Sequence, residues 1–228
     1  MLPQSKGKIF LADERGLTEL ETFRSYNTFN FGNYCHPHKT SFGALYVLNE
    51  DTLAGGCNIS LRVEENSEIT LLPVVGAIAY HDSLGNTGTV ETGQSLVLDA
   101  PKGLILTIEN PYQDELVKFL QWWVRVPPKT SPPGPKLISF DLTRTGNQLV
   151  SIGSAAAIGR LAGKEETLYK AITSRSGLFA FVIQGELEVQ YRLLHTGDGL
   201  ALWDLPEIEI EALTREAILL VIEVPASG

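Results

Sequence analysis

The stretch Phe181-Val182-Ile183-Gln184-Gly185-Glu186-Leu187-Glu188-Val189, with Thr196-Gly197-Asp198-Gly199-Leu200-Ala201-Leu202 after it, decides the fold. An apolar run ends at a glycine, an alternating run follows, and a Thr-Gly turn leads into a third apolar run. Short runs of this kind between turn residues read as strands. Glycine belongs at the turns because the backbone needs positive φ there. The first half carries the same plan in Leu72-Pro73-Val74-Val75-Gly76-Ala77-Ile78-Ala79-Tyr80, then Thr92-Gly93-Gln94-Ser95-Leu96-Val97-Leu98. Self-similarity at this distance is an internal repeat at domain scale. The expected class is all-β, with two double-sheet barrels of the jelly-roll kind in tandem.

The flanking sequence agrees. Helical periodicity is scarce, and Leu45–Leu48, Glu68–Val75, Leu104–Ile108 and Phe119–Val126 read as further strands. In the second half, strands are expected at 137–140, 148–152, 167–172, 207–212 and 217–224, among others. Glu207-Ile208-Glu209-Ile210-Glu211 alternates with period two, so one face is wet and the other buried. Gly153-Ser154-Ala155-Ala156-Ala157 reads as a turn or short helix. Trp122 and Trp123 are strand neighbours and face opposite sides; one should enter a core and the other meet a second surface, such as the other domain. Between 127 and 135 stand five prolines in nine residues, an extended segment outside any sheet interior. The expected division is therefore a first domain at 1–126, a linker at 127–135 and a second domain at 136–228.

Composition narrows the function. The 228 residues include 43% hydrophobic ones, enough for a packed core, and carry a formal net charge of −9. An acidic surface repels phosphate backbones, so nucleic acid is not an expected partner. No apolar run approaches a membrane span, so no membrane partner is expected either, and Met1–Lys8 lacks a signal pattern. With two cysteines and no disulfide framework, the expected compartment is the cytoplasm.

Chemistry-bearing motifs are few. No Gly-x-Ser-x-Gly elbow and no Gly-Lys-Ser/Thr phosphate loop is present. His36 and His38 form the only His-x-His, but Pro37 lies between them and no third ligand is evident, so they read as exposed loop residues. His81 and His195 flank turns. Cys57 reads as a small strand-edge residue, whereas Cys35 sits beside those histidines in a polar stretch and is a candidate redox thiol. Tyr26, Phe29, Phe31 and Tyr34 alternate and read as packing onto the first barrel.

Several ordered segments together carry a resemblance. They are Ala12-Asp13-Glu14-Arg15-Gly16, Ser25–Tyr34, Phe42–Asp51 and Asp82-Ser83-Leu84-Gly85-Asn86. Through them the chain resembles the pirin-like bicupins, which include pirins and bacterial quercetin dioxygenases; the match is strongest over residues 8–126. The resemblance implies a metal held by a His-x-His pair, a third histidine and a glutamate, at positions occupied here by Arg62, Glu64, Leu106 and Ile108. An arginine cannot deprotonate to become a ligand, and Leu106 and Ile108 are aliphatic. A metal would retain at most Glu64 and Glu68, a poor donor set for iron or nickel. The chain thus resembles members that have lost the metal, and no cofactor is expected.

Three readings of Arg62, Glu64 and Glu68 stand: a buried ion pair stapling the barrel mouth, a pocket for a small anion anchored by Arg62, or an outward solvated pair. The expected function is that of a non-enzymatic ligand-binding or regulatory protein, monomeric or weakly dimeric, with a small anionic molecule or a partner protein as its target. The alternative is a metal-dependent quercetin 2,3-dioxygenase.

Overall fold

The computed structural model describes residues 5–130, 133–172 and 177–225. Among them, regular structure is antiparallel strand apart from one 3-10 turn at Ala12–Glu14. The chain forms two compact units. One is Gly16–Ser139; the other joins Met1–Arg15 to Phe140–Gly228.

Each unit is a large sheet and a small one. In the first unit the large sheet orders Lys136–Ser139, Gln94–Ala100, Ser67–Val75, Val117–Arg125, Leu45–Leu53, Phe23–Asn27 and Gly16–Glu19. Its small sheet orders Asn58–Arg62, Ile105–Glu109, Ala77–Asp82 and Thr87–Glu91. In the second unit the large sheet orders Gly7–Phe10, Gly199–Leu202, Gly177–Gln184, Ala217–Val224, Ala156–Leu161 and Val150–Ser151. Its small sheet orders Glu166–Lys170, Glu207–Ala212, Glu186–Val189 and Arg192–His195.

The repeated glycine is the corner where the chain leaves one sheet for the other. Ser67–Val75 belongs to a large sheet and Ala77–Asp82 to a small one, with Gly76 between them at φ +77°. Gly177–Gln184 and Glu186–Val189 repeat the crossing around Gly185 at φ +82°. The Thr-Gly turn ties down each corner. Thr92 Oγ1 donates to Gly76 O at 2.8 Å, and Thr196 Oγ1 to Gly185 O at 3.1 Å. The sequence echo is therefore one corner built twice, each time with a threonine hydroxyl bonded to the carbonyl of the corner glycine.

The unit boundaries differ from those expected at 126 and 135. Gly7–Phe10 pairs with Gly199–Leu202, so the first strand completes the second barrel. Phe10 is buried, with its ring centroid 5.6 Å from that of Phe179, and Ala12 N donates to Asp198 Oδ1 at 2.7 Å. Lys136–Ser139 pairs with Gln94–Val97 and so belongs to the first barrel's large sheet. The proline-rich stretch leads to that sheet edge; Lys129 in it pairs with Asp99 at 2.5 Å. Ser131 and Pro132 of that stretch lie outside the described residues.

The interiors are aliphatic and aromatic. Ile69, Leu71, Ile78, Leu106, Ile108 and Phe119 lie in the first core, and Leu178, Val182, Leu187, Leu200, Ile208 and Leu219 in the second. Full burial of such a side chain contributes about 1.5–3 kcal/mol. Trp123 is in the first core, and Trp122, on the opposite face of its strand, is buried as well. Phe29 is buried and Phe31 packs edge-on to Trp123, so these N-terminal aromatics serve packing. One strand departs from expectation: Ala156–Leu161 begins inside the segment read as turn or short helix. A Cβ on Gly159 would lie 3.0 Å from Leu149 Cγ, which explains a glycine within a strand.

Candidate functional site

The positions to which the resemblance carries metal ligands lie in the small sheet of the Gly16–Ser139 barrel and just past its first strand. Leu106 stands opposite Leu61, Ile108 opposite Ile59, and Ile105 opposite Arg62. Leu106 and Ile108 are fully buried in the core, with Cys57, Ile59 and Leu61 packed on it and Val63 inside it. Side chains alternate along a strand, so Arg62 and Glu64 must point the other way. They do: their side chains are 70% and 72% exposed, with Arg62 Nε 3.6 Å from Glu64 Oε1. The inward readings, a buried staple or an anion pocket, are thereby corrected to a solvated surface pair. Such pairs contribute little, because water screens them and ordering two long side chains costs entropy.

Glu68 does not join them. It lies half-buried on Ser67–Val75, next to Ile69 of the core, and so faces away from the barrel interior. Glu109 also faces out, with its carboxylate 3.6 Å from His81 Nδ1. The donor chemistry at the four family positions does not fit a divalent metal: two are buried aliphatic chains and two point into solvent. Among the described residues no three of His, Cys, Asp and Glu are grouped to hold one. His36 and His38 are exposed, their rings 5.6 Å apart, in the loop that also exposes Cys35. Exposure is one requirement of an oxidisable thiol. In the second unit His195 lies 3.5 Å from Glu186 on the neighbouring strand.

Polar chemistry inside the first barrel lies on the opposite wall. Asp51, Asn49, Gln121, Ser25 and Asn27 are buried on three adjacent strands of the large sheet. They share the face of Val47, Leu53, Phe119 and Trp123, which belong to the barrel core. Gln121 Nε2 donates to Asp51 Oδ2 at 2.5 Å, and Trp123 Nε1 donates to Gln121 Oε1 at 2.7 Å. Burial pushes the Asp51 carboxyl up to about 7, against the lowering influence of the neighbouring Ser25 hydroxyl and Gln121 amide. Sequence reasoning passed over these residues, although the signal was present. Val47-x-Asn49-x-Asp51-x-Leu53 and Phe119-x-Gln121-x-Trp123 place polar residues at inward positions of an otherwise apolar alternation.

The second barrel offers a groove of about 560 Å³ on its small sheet, lined by Glu166, Leu168, Glu188, Tyr191, Glu209 and Glu211 among others. Glu211 stands directly opposite Glu166 on one side and Glu188 on the other. The hairpin over it turns through Gln190 and Tyr191, both at positive φ, a conformation glycine and asparagine adopt more readily. Such a groove holds negative potential and disfavours anions.

Comparison with known proteins accords with this architecture. The Pirin family model matches residues 11–124, and the model for the quercetinase C-terminal cupin domain matches 147–224. A relative from Escherichia coli K12, described as quercetin 2,3-dioxygenase, is 27% identical over 220 residues, covering 92% of this chain and 95% of its own. The crystal structure of YhhW from Escherichia coli superposes with a TM-score of 0.83 at 24% identity, over 97% of this chain and 98% of its own. A structure of bacterial pirin YhhW in complex with nickel(II), also from Escherichia coli, superposes at 0.81 and 24% identity, over 97% of this chain and 100% of its own. Two barrels, each with a glycine corner between its two sheets, and a family model matched over half the chain place it: the chain belongs to the pirin family of bicupins.

Proposed function

We propose that this bicupin works without a metal centre, as a binding or regulatory protein and not as a dioxygenase. One observation carries the reading. At the family's ligand positions, Leu106 and Ile108 fill the core and Arg62 and Glu64 face solvent. A dioxygenase of this fold requires a metal with open positions, and a shared fold does not by itself transfer that chemistry. The quercetin 2,3-dioxygenase reading is favoured by the name of a relative that aligns over nearly the full length. It requires donors from elsewhere, such as His36 and His38.

The target is a partner protein or a small molecule. The surface charge argues for the former: the groove of the second barrel is lined by carboxylates, and Arg62, the expected anion anchor, is paired at the surface with Glu64. Two unpaired cysteines support a reducing, cytoplasmic setting.

Elemental analysis of untagged protein, before and after incubation with ferrous iron, nickel and zinc, tests the reading. Substoichiometric metal throughout, with no consumption of quercetin, is the expected result. One metal per chain that is lost in a His36→Ala, His38→Ala variant would hand the lead to the dioxygenase.

A further inference from the structure

The polar row inside the first barrel is short of a hydrogen. Trp123 fixes the Gln121 amide by donating to its oxygen, which leaves the amide nitrogen to donate to Asp51 Oδ2. Ser25 has one hydroxyl hydrogen for two neighbouring acceptors, Asp51 and Asn27, and it points to Asn27 Oδ1 at 3.0 Å. Asp51 Oδ1 and both amide atoms of Asn49 then have no partner, although both residues are buried. An unmet buried polar atom costs about 1–3 kcal/mol, more when charged. Asn49 and Asp51 are two apart on one strand and share the inward face. A hydrogen on Asp51 Oδ1 turns an orphaned acceptor into a donor, on the face where the Asn49 oxygen also lacks a partner.

Among the described residues no cation compensates a carboxylate there. On its own strand, Glu50 faces the other side and pairs with Lys118 of the neighbouring strand. On the other flanking strand, Arg24 is exposed and pairs with Glu19; Tyr26 shares its face. On the large sheet's remaining strands, Glu68 and Asp99 lie outside the core, the latter with Lys129. From the small sheet, Tyr80 and Cys57 pack into the same core, joined by Tyr112. Asp82 at its end accepts from Leu84 N, Asn86 N and Asn86 Nδ2. Arg62, His81 and Glu109 leave on the outer face.

We propose that this row is a proton-binding site within the barrel, which holds Asp51 as the neutral acid and weakens the barrel when Asp51 ionises. The carboxyl pushed up to about 7 by burial agrees with that assignment. The sign follows from linkage. Below about pH 4 the unfolded chain is protonated too, and the site is silent. Between there and about 7 the folded state keeps the proton that the unfolded state releases, so stability falls as pH rises. Above that range the loss is complete.

Urea unfolding of the full chain from pH 4 to 8.5, wild type against Asp51→Asn, tests it. Asparagine keeps the shape and donates where the neutral acid would. Relative to the variant, the wild-type unfolding constant should rise up to about a thousandfold across that range. Parallel profiles would overturn the proposal. Should the variant fail to fold, a carbon-13 titration of the wild-type Asp51 carboxyl decides: a midpoint near 7 supports it, and one near 4 overturns it.

Discussion

Arg62 and Leu106 show how two signals in one sequence compete. The resemblance carries ligand positions to both, which suggests a shared interior. Local alternation says otherwise: Cys57-x-Ile59-x-Leu61-x-Val63 is an apolar face, and Arg62 and Glu64 fall on the other one. The alternation prevails, because turning the strand over would bury two charges and expose four apolar chains. Arg62→Leu alone and Arg62→Leu with Glu64→Leu should therefore both unfold within about 1 kcal/mol of wild type. Leu106→Ala should cost about 2–5 kcal/mol, as expected for a fully buried leucine. Denaturant melts of the three variants check this. A double variant markedly more stable than Arg62→Leu would restore the buried pair.

Strands whose own sequence alternates are legible; strands defined by their neighbours are not. Glu207–Ala212 has the expected bounds because its side chains alternate with period two, and Ala217–Val224 because it is a nearly continuous run of apolar residues. Ala156–Leu161 opens on two alanines and includes a glycine, so its identity comes from pairing with Ala217–Val224. The corner glycines lie between these cases: the turn is visible, but its role as a crossing between sheets is not. Gly185 combines positive φ with a crowded site, where a Cβ would lie 2.4 Å from Thr214 Oγ1. Gly185→Ala should thus destabilise the second barrel by more than about 1 kcal/mol. Gly134→Ala is the control, since no positive φ and no neighbour within 4 Å constrain it, and it should be neutral or slightly stabilising. Equal melting of the two variants would mean that the corner relaxes freely.

At the scale of the molecule, a proline-rich run marks a stretch that cannot lie in a sheet interior, but it does not say which sheet takes the strands on either side. That choice depends on partners more than thirty residues away, such as Gln94–Val97 for Lys136–Ser139, and for Gly7–Phe10 on Gly199–Leu202. Each short strand covers an edge that would otherwise expose unpaired backbone groups. A fragment of residues 16–139 keeps its whole large sheet, whereas one of residues 1–126 lacks Lys136–Ser139 and carries Gly7–Phe10 with its partner removed. The 16–139 fragment should therefore melt cooperatively as a monomer, and the 1–126 fragment should melt lower and self-associate through its open Gln94–Ala100 edge. Calorimetry with light scattering on both fragments measures this directly. If 1–126 were the more stable, Lys136–Ser139 would contribute nothing to the first barrel, and the unit would end at the prolines after all.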